Sequence, residues 1–337
     1  MRHLSDKAVT RLREGVKLPD LSGTRYRLLG EVARGGMGVV YAAEDERLQR
    51  RVALKVLEAP APEGELADRL MREARVLARL EHPGIVPVHD VGRLADGRVF
   101  YTMKFVEGQR LDQHIESLSS TSSIPDRLRI FLRICDAVGF AHTRGVLHRD
   151  LKPANVMVGP FGEILVMDWG LAKIMAAPGD PDGTTPDSAN PSRANGSRQN
   201  SVVTGRGAVM GTPGYMSPEQ ACGEVDLMDA RSDIFSLGAL LRFVISEGLV
   251  SRSSDRLDRP LEAIWMKACA EDREARYGTV LELAMDVSRY LDGLAVAAYR
   301  ENIFERLVRF YRRYRFFILL IATYLLVRMI LVLFYRH

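Results

Sequence analysis

The hydrophobic period of this chain changes in one direction along its length, and that limits the folds open to it. Short apolar runs at 26–33, 38–43, 51–57, 85–93 and 98–106, parted by Gly-rich or charged turns, read as strands. One segment among them breaks the pattern. Over 64–81, Leu66, Leu70, Ala74, Leu77 and Leu80 recur every three or four residues, which predicts one helix stopped by His82-Pro83-Gly84. From Leu111 onward the spacing is mainly helical, with strand-like pieces only at 155–158 and 164–167. A chain ordered this way is α+β: a small β-rich lobe with one main helix, then a larger helical lobe.

Composition narrows the class. At 337 residues, with 47% hydrophobic and 27% charged side chains, the chain can bury two cores. Its 47 basic and 43 acidic residues leave +4, which gives no reason to expect nucleic acid as a partner. The basic excess is local, between Arg300 and Arg315. Cys135, Cys222 and Cys269 lie far apart and form no C-x-x-C pair, so they read as reduced thiols. The first residues carry no apolar stretch, so no secretory signal peptide is expected. Residues 1–25 form a charged extension, read as a short helix or a flexible lead-in. Residues 176–206, crowded with Pro, Gly, Ser, Asn and Asp, read as a disordered loop.

Four segments carry chemistry. Ala33-Arg34-Gly35-Gly36-Met37-Gly38-Val39-Val40 joins the first two strands, and its glycines let backbone N–H groups approach phosphate. Alone, such a hairpin is common and identifies nothing. In Val52-Ala53-Leu54-Lys55-Val56, strand alternation puts Ala53 and Lys55 on one face. An inward Lys needs a counter-charge, and Glu73 on the following helix can supply it; a surface Lys and a solvated Glu are the alternative. His148-Arg149-Asp150-Leu151-Lys152-Pro153-Ala154-Asn155 gathers a carboxylate, a cation and an amide in one turn. Asp150 can accept a hydroxyl proton, Lys152 can meet phosphate charge and Asn155 can hold a metal, while His148 reads as a loop histidine satisfied by backbone. Asp168-Trp169-Gly170 places a second carboxylate after a strand, which suits Mg²⁺.

In this order the segments resemble the eukaryotic-type (Hanks-type) Ser/Thr protein kinases of bacteria, over about residues 26–292. The resemblance implies a bilobal kinase fold and transfer of the γ-phosphoryl group of ATP, with Mg²⁺, to Ser or Thr of a protein substrate. It implies that Gly35, Gly36 and Gly38, with Ala33 in place of the first glycine, cover the phosphates. Lys55 would hold phosphate and pair with Glu73, Asp150 would be the base, and Asn155 and Asp168 would hold Mg²⁺. Val40, Ala53, Met103 and Met157 would line the adenine site, and the backbone of Lys104 to Val106 would form the hinge. Gly211-Thr212-Pro213-Gly214-Tyr215-Met216-Ser217-Pro218-Glu219 resembles the end of the activation loop, with Thr212 meeting Asp150. Asp233 resembles the family's buried helix Asp, and Arg276 the late Arg that pairs with Glu219.

The chain departs from that pattern at Ala33, Trp169 and Ser217, all mild changes. A larger departure is the 43 positions between Asp233 and Arg276, too few for the usual substrate-docking helix region, which is expected to be missing. With Lys55, Glu73, Asp150, Asn155 and Asp168 all present, an active enzyme is favoured over a nucleotide-binding pseudokinase that acts as a membrane scaffold. The protein-substrate loop disfavours a small-molecule kinase. Arg149, just before Asp150, resembles a cation that an activation-loop phosphate would pair. Autophosphorylation in trans by a second copy of the chain is therefore expected within Ser201 to Thr204.

Phe316 to Tyr335 is a 20-residue apolar run interrupted by Arg328, long enough to span a bilayer as one helix. A helix docked on the kinase lobe or lying at the interface are the alternatives. Residues 107–293 would be the larger lobe and 294–315 a basic juxtamembrane segment. Arg306, Arg309, Arg312, Arg313 and Arg315 precede the span, and only Arg336 and His337 follow it. That bias places the kinase in the cytoplasm of a single-pass inner-membrane protein, near anionic lipid, with no extracellular sensor expected.

Overall fold

The computed structural model describes residues 18–35, 38–57, 65–118, 123–169, 173–174, 212, 214–224, 227–246 and 258–335. The first lobe is a five-stranded antiparallel sheet: β1 (Tyr26–Gly35), β2 (Gly38–Asp45), β3 (Arg50–Val56), β4 (Val88–Arg93) and β5 (Val99–Lys104), in the order β1-β2-β3-β5-β4. Helix α1 (Glu65–Ala78) lies between β3 and β4 in sequence. It ends three residues before the predicted stop at 81, because Arg79 and Leu80 close a tighter turn onto the Val76 and Leu77 carbonyls.

Alternation along the strands divides the apolar residues between two cores. Val39, Tyr41, Val52, Leu54, Val56 and Phe100 pack in a cluster on one face, with Leu21 and Tyr26. Ala53, Tyr101 and Met103 face the other way and join Leu70, Ala74 and Leu77 of α1 in a cluster that continues into the second lobe. Leu21 shows that the extension before β1 is not wholly a lead-in: its end packs on the sheet, and the Leu18 carbonyl accepts from Arg98. At the β1–β2 turn, Gly38 has φ 142°, and a Cβ there would meet the Val56 carbonyl oxygen at 2.3 Å. Only glycine serves both conditions.

The second lobe contains α2 (Leu111–Leu118), α3 (Ile124–Thr143), α4 (Pro218–Ala221), α5 (Ala230–Ser246), α6 (Arg259–Ala268), α7 (Val280–Leu291) and α8 (Ile303–Tyr335). The short strands β6 (Gln109–Arg110), β8 (Val156–Val158) and β9 (Ile164–Val166) form one sheet, and β7 (Val146–Leu147) pairs with β10 (Lys173–Ile174). Helix α3 is central, burying Leu128, Phe131, Ile134, Cys135, Val138 and Ala141 at helical spacing. Gly238 lets α5 and α6 approach closely, since a Cβ would lie 2.7 Å from both the Ala268 Cβ and the Cys269 Sγ. Residues 247–257, between α5 and α6, lie outside the described residues, and with them the stretch where the substrate-docking helix region is expected to be missing. The three cysteines are unpaired thiols. Gly36 and the loop predicted at 176–206 lie outside the described residues.

The C-terminal apolar run is the end of a longer helix. α8 spans 33 residues, so the basic stretch from Ile303 and the apolar run form one rod. Its most apolar part, Tyr314–Leu331, has none of its residues buried against the rest of the protein, which removes the docked-helix alternative. The start of the rod is latched to the second lobe. Buried Asp286 on α7 accepts the Ala297 and Ala298 N–H groups and the Tyr277 hydroxyl. Tyr299 and the Asn302 N–H donate to Glu305 in the first turn of α8, and Arg309 pairs with Glu301.

A buried ion pair fixes the α4 end of the second lobe. Arg276 donates to both Glu219 oxygens, at 2.8 and 2.9 Å, and Ser232 donates to the same carboxylate at 2.7 Å. Burial pushes the Glu219 carboxyl up, but Arg276 and Ser232 more than offset this and hold it at about 2. This contribution to stability is complete above the ordinary value of 4.5 and is lost as the pH falls toward about 2. Arg276→Ala leaves a buried carboxylate uncompensated. It is expected to cost about 3–5 kcal/mol and roughly 10 °C in Tm, read by calorimetry at neutral pH.

Candidate active site

The site lies where the two lobes meet, and β3 sets its first cation. Strand pairing puts Lys55 opposite Val40 of β2 and Tyr101 of β5, and Ala53 opposite Met103. The Lys55 ammonium is buried and donates to both Glu73 oxygens, at 2.8 and 3.0 Å, and to Asp168 at 3.3 Å. The solvated alternative for this pair is thereby excluded. Burial draws the Lys55 pKa down, but the Glu73 and Asp168 charges outweigh it and hold the ammonium above its ordinary value. Burial likewise raises the Asp168 carboxyl, and Lys55, His148 and Lys152 together bring it below its usual range.

The turn after β7 carries the second group. Asp150 lies 2.7 Å from the Lys152 ammonium and 3.0 Å from the Asn155 amide nitrogen, which also donates to the Asp150 carbonyl. Because that nitrogen is engaged with Asp150, the Asn155 amide oxygen is what a hard cation would take. Thr212 donates to Asp150 at 3.3 Å and accepts from Lys152 at 2.7 Å, so it makes the contact expected of it. A hydroxyl thus rests between a carboxylate and an ammonium.

This turn hangs from Asp233, buried on α5. Its carboxylate accepts the N–H groups of His148 and Arg149, both at 2.8 Å, and contacts His142 Nε2 at 2.7 Å. Burial raises this carboxyl, and His142, His148 and the Arg149 N–H reverse the shift. Arg149 and Asp168 both have left-handed φ, 69° and 57°, unusual for side chains other than glycine. His148 bonds the Met167 carbonyl at 2.9 Å, the backbone satisfaction read for it from the sequence. The buried Nε and Nη2 of Arg149 have no hydrogen-bond partner among the described residues.

The apolar positions gather less completely. Ala53 and Met103 belong to the inner cluster and Val40 and Val106 pack on it, while Met157 is half-buried on β8 and lies outside it. The Lys104 N–H donates to Pro87, so an N–H offered to a ligand by this hinge comes from Phe105 or Val106. Ala33 and Gly35 are exposed at the end of β1. Sequence reading missed Tyr101, whose hydroxyl donates to Glu73 at 2.8 Å, and Gln220, which donates to the Arg149 carbonyl at 2.8 Å. Tyr101 was accessible to the alternation argument, being two residues from Met103 on the same face. Gln220 lies 71 positions from its partner, and no local signal marks it.

The sequence profile of the protein kinase domain matches residues 26–268. The chain is 33% identical over 303 residues to the serine/threonine-protein kinase PknD of Protochlamydia amoebophila (strain UWE25), covering 80% of this chain and 30% of that protein. It is 35% identical over 306 residues to PknD of Chlamydia trachomatis serovar D, again over 80% of this chain and 32% of the relative. The crystal structure of the Mycobacterium tuberculosis PknI kinase domain superposes with a TM-score of 0.54 at 26% identity, covering 82% of this chain and 97% of that one. The chain belongs to the protein kinase family, in its bacterial Hanks-type Ser/Thr branch. It spans about a third of the length of the curated relatives it matches.

Trp169, where the resemblance implies Phe, fills the space behind Asp168. It is fully buried, its ring centroid lies 4.6 Å from that of His148, and its Nε1 donates to the Val166 carbonyl at 3.3 Å. Trp169→Phe leaves a small cavity and removes that donor. The expected loss is about 1–3 kcal/mol in urea unfolding, with nucleotide binding retained.

Proposed function

We propose that this chain is an active, membrane-anchored kinase that phosphorylates Ser and Thr hydroxyls of proteins, including its own. ATP would supply the γ-phosphoryl group and leave as ADP, and Mg²⁺, when bound, would neutralise phosphate charge. Asp150 orients the attacking hydroxyl and accepts its proton, and Lys152 stabilises the phosphoryl oxygens as charge develops on them. Lys55, fixed by Glu73, holds the non-transferred phosphates. Asn155 and Asp168 would hold Mg²⁺, and the donor set fits: one amide oxygen and one half-exposed carboxylate. Among the described residues no group of three or more His, Cys, Asp or Glu is placed to hold a metal, so the remaining ligands would be phosphate oxygens and water. Ala33, Gly35, Gly36 and Gly38 would cover the phosphates. Val40, Ala53, Met103, Val106 and Met157 would enclose adenine.

The observation that carries this reading over the scaffold alternative is the Lys55 ammonium. It contacts Glu73 and Asp168 together, so the phosphate-holding cation, its helix and the metal-binding carboxylate are assembled at once. Asp150→Asn is expected to lower transfer to a generic basic protein by 100-fold or more, on the order of a general base's contribution. It should leave ATP affinity within about twofold, since Asp150 does not hold the nucleotide. Full transfer by this variant overturns the assignment.

Arg149 supports a further part of the proposal. Its Nε and Nη2, buried and without a hydrogen-bond partner among the described residues, suit a phosphate placed within Ser201 to Thr204 by a second copy of the chain. Residues 201–204 themselves lie outside the described residues.

The anchor rests on α8. The fourteen Leu, Ile, Val and Phe side chains of 316–335, at about −0.3 to −0.6 kcal/mol each, offset the roughly 3 kcal/mol cost of Arg328 near mid-membrane. The arginines before the span support a kinase on the cytoplasmic side of the inner membrane, where they would face anionic headgroups. The full chain should sediment with membranes and resist carbonate extraction, and a chain ending at Gly293 should not. Recovery of the full chain without detergent in the soluble fraction contradicts a span.

A further inference from the structure

The Lys55–Glu73 pair has a third member. Tyr101 sits on β5 opposite Lys55 on β3, so both side chains leave the sheet on the face toward α1. Its hydroxyl lies 2.8 Å from Glu73 Oε1, the same oxygen that Lys55 approaches at 2.8 Å. All three residues are buried, Tyr101 to 1% exposure and Glu73 to 3%. The Lys55 ammonium also lies 5.8 Å from the centre of the Tyr101 ring, within cation–π range. Burial, and then the Glu73 charge, push the Tyr101 pKa well up, so the phenol stays protonated and donates.

We propose that Tyr101 is a positioning residue that fastens Glu73, and with it α1, to β5 independently of Lys55. The inference rests on the kinase reading above. Its logic is that Lys55 has competing demands. The ammonium already divides its donors between Glu73 and Asp168, and phosphate oxygens would claim a share. A Glu73 held by Lys55 alone would be loosened whenever Lys55 turned toward another anion. With Tyr101 on Oε1, the carboxylate keeps one buried donor from a phenol that phosphate oxygens would not claim. Glu73 then stays where it can orient Lys55, and the helix remains closed on the sheet before nucleotide arrives. The hydroxyl forms a charge-assisted hydrogen bond, the stronger kind, in a site with little water.

Tyr101→Phe keeps the ring and removes only this donor. In the full-length chain in detergent micelles, two readouts apply. Amide exchange across 65–78 without nucleotide should quicken about tenfold, the scale of one hydrogen bond to a charged group, while α3 stays unchanged. The KM for ATP should rise by a similar factor with a smaller change in kcat. A double-mutant cycle with Glu73→Gln separates positioning from packing. In the Glu73→Gln background, Tyr101→Phe should have an effect under twofold, because the group it acts through is already altered. Wild-type exchange and KM in Tyr101→Phe overturn the proposal, and so does an equal effect in both backgrounds. If the wild-type chain transfers no phosphate, the kinase reading fails instead, and the exchange result still decides whether Tyr101 holds α1.

Discussion

The Asp233 carboxylate is the point from which the site is suspended. It lies on α5 in the middle of the second lobe and accepts two successive backbone N–H groups, those of His148 and Arg149. Arg149 adopts a left-handed backbone that a side chain with a Cβ occupies at a cost of about 1–3 kcal/mol. Two charge-assisted hydrogen bonds of about 1.5–3 kcal/mol each are enough to hold it there. The reversal at Arg149 in turn aims the next residues back into the cleft, so Asp150, Lys152 and Asn155 converge on one point. Asp233 stands behind the turn, and the position of the segment that carries Asp150, Lys152 and Asn155 is referred to it.

Charge compensation between the lobes follows the same economy. Lys55 comes from the sheet, Glu73 from α1 and Asp168 from the segment after β9, and neither Lys55 nor Glu73 could be buried alone without a large desolvation cost. Together they form an arrangement that exists only when sheet, helix and second lobe are in register. The site is therefore also a contact between lobes. Trp169 and His148 continue it into the apolar cluster, where Leu77 of α1 is also found.

Much of this was legible in the sequence because it depends on local rules. Strand alternation put Ala53 and Lys55 on the inner face and Val52, Leu54 and Val56 on the outer one, and the two cores divide that way. Helical spacing found α1 to within three residues. Tertiary hydrogen bonds were not legible. The pairing of β7 with β10, the Gln220 contact with the turn and the left-handed Asp168 are decided by partners tens of residues away, and no residue type announces them. The hinge shows the same limit. Which N–H groups of Lys104 to Val106 face a ligand depends on Pro87, which only the folded β5 edge brings near.

The latch between the second lobe and α8 has a geometric consequence. Asp286 holds Ala297 and Ala298, and Glu305 closes the first turn of α8, so no slack tether separates the kinase from its rod. From Ile303 to Tyr314, where the most apolar stretch begins, is about 16 Å of helix at 1.5 Å per residue. On the proposed anchoring, the cleft works at a fixed standoff and a fixed tilt, as an instrument on a short mast. Its reach is then a thin layer beside the bilayer. Residence in that layer, as much as the sequence around a hydroxyl, would decide which proteins it modifies.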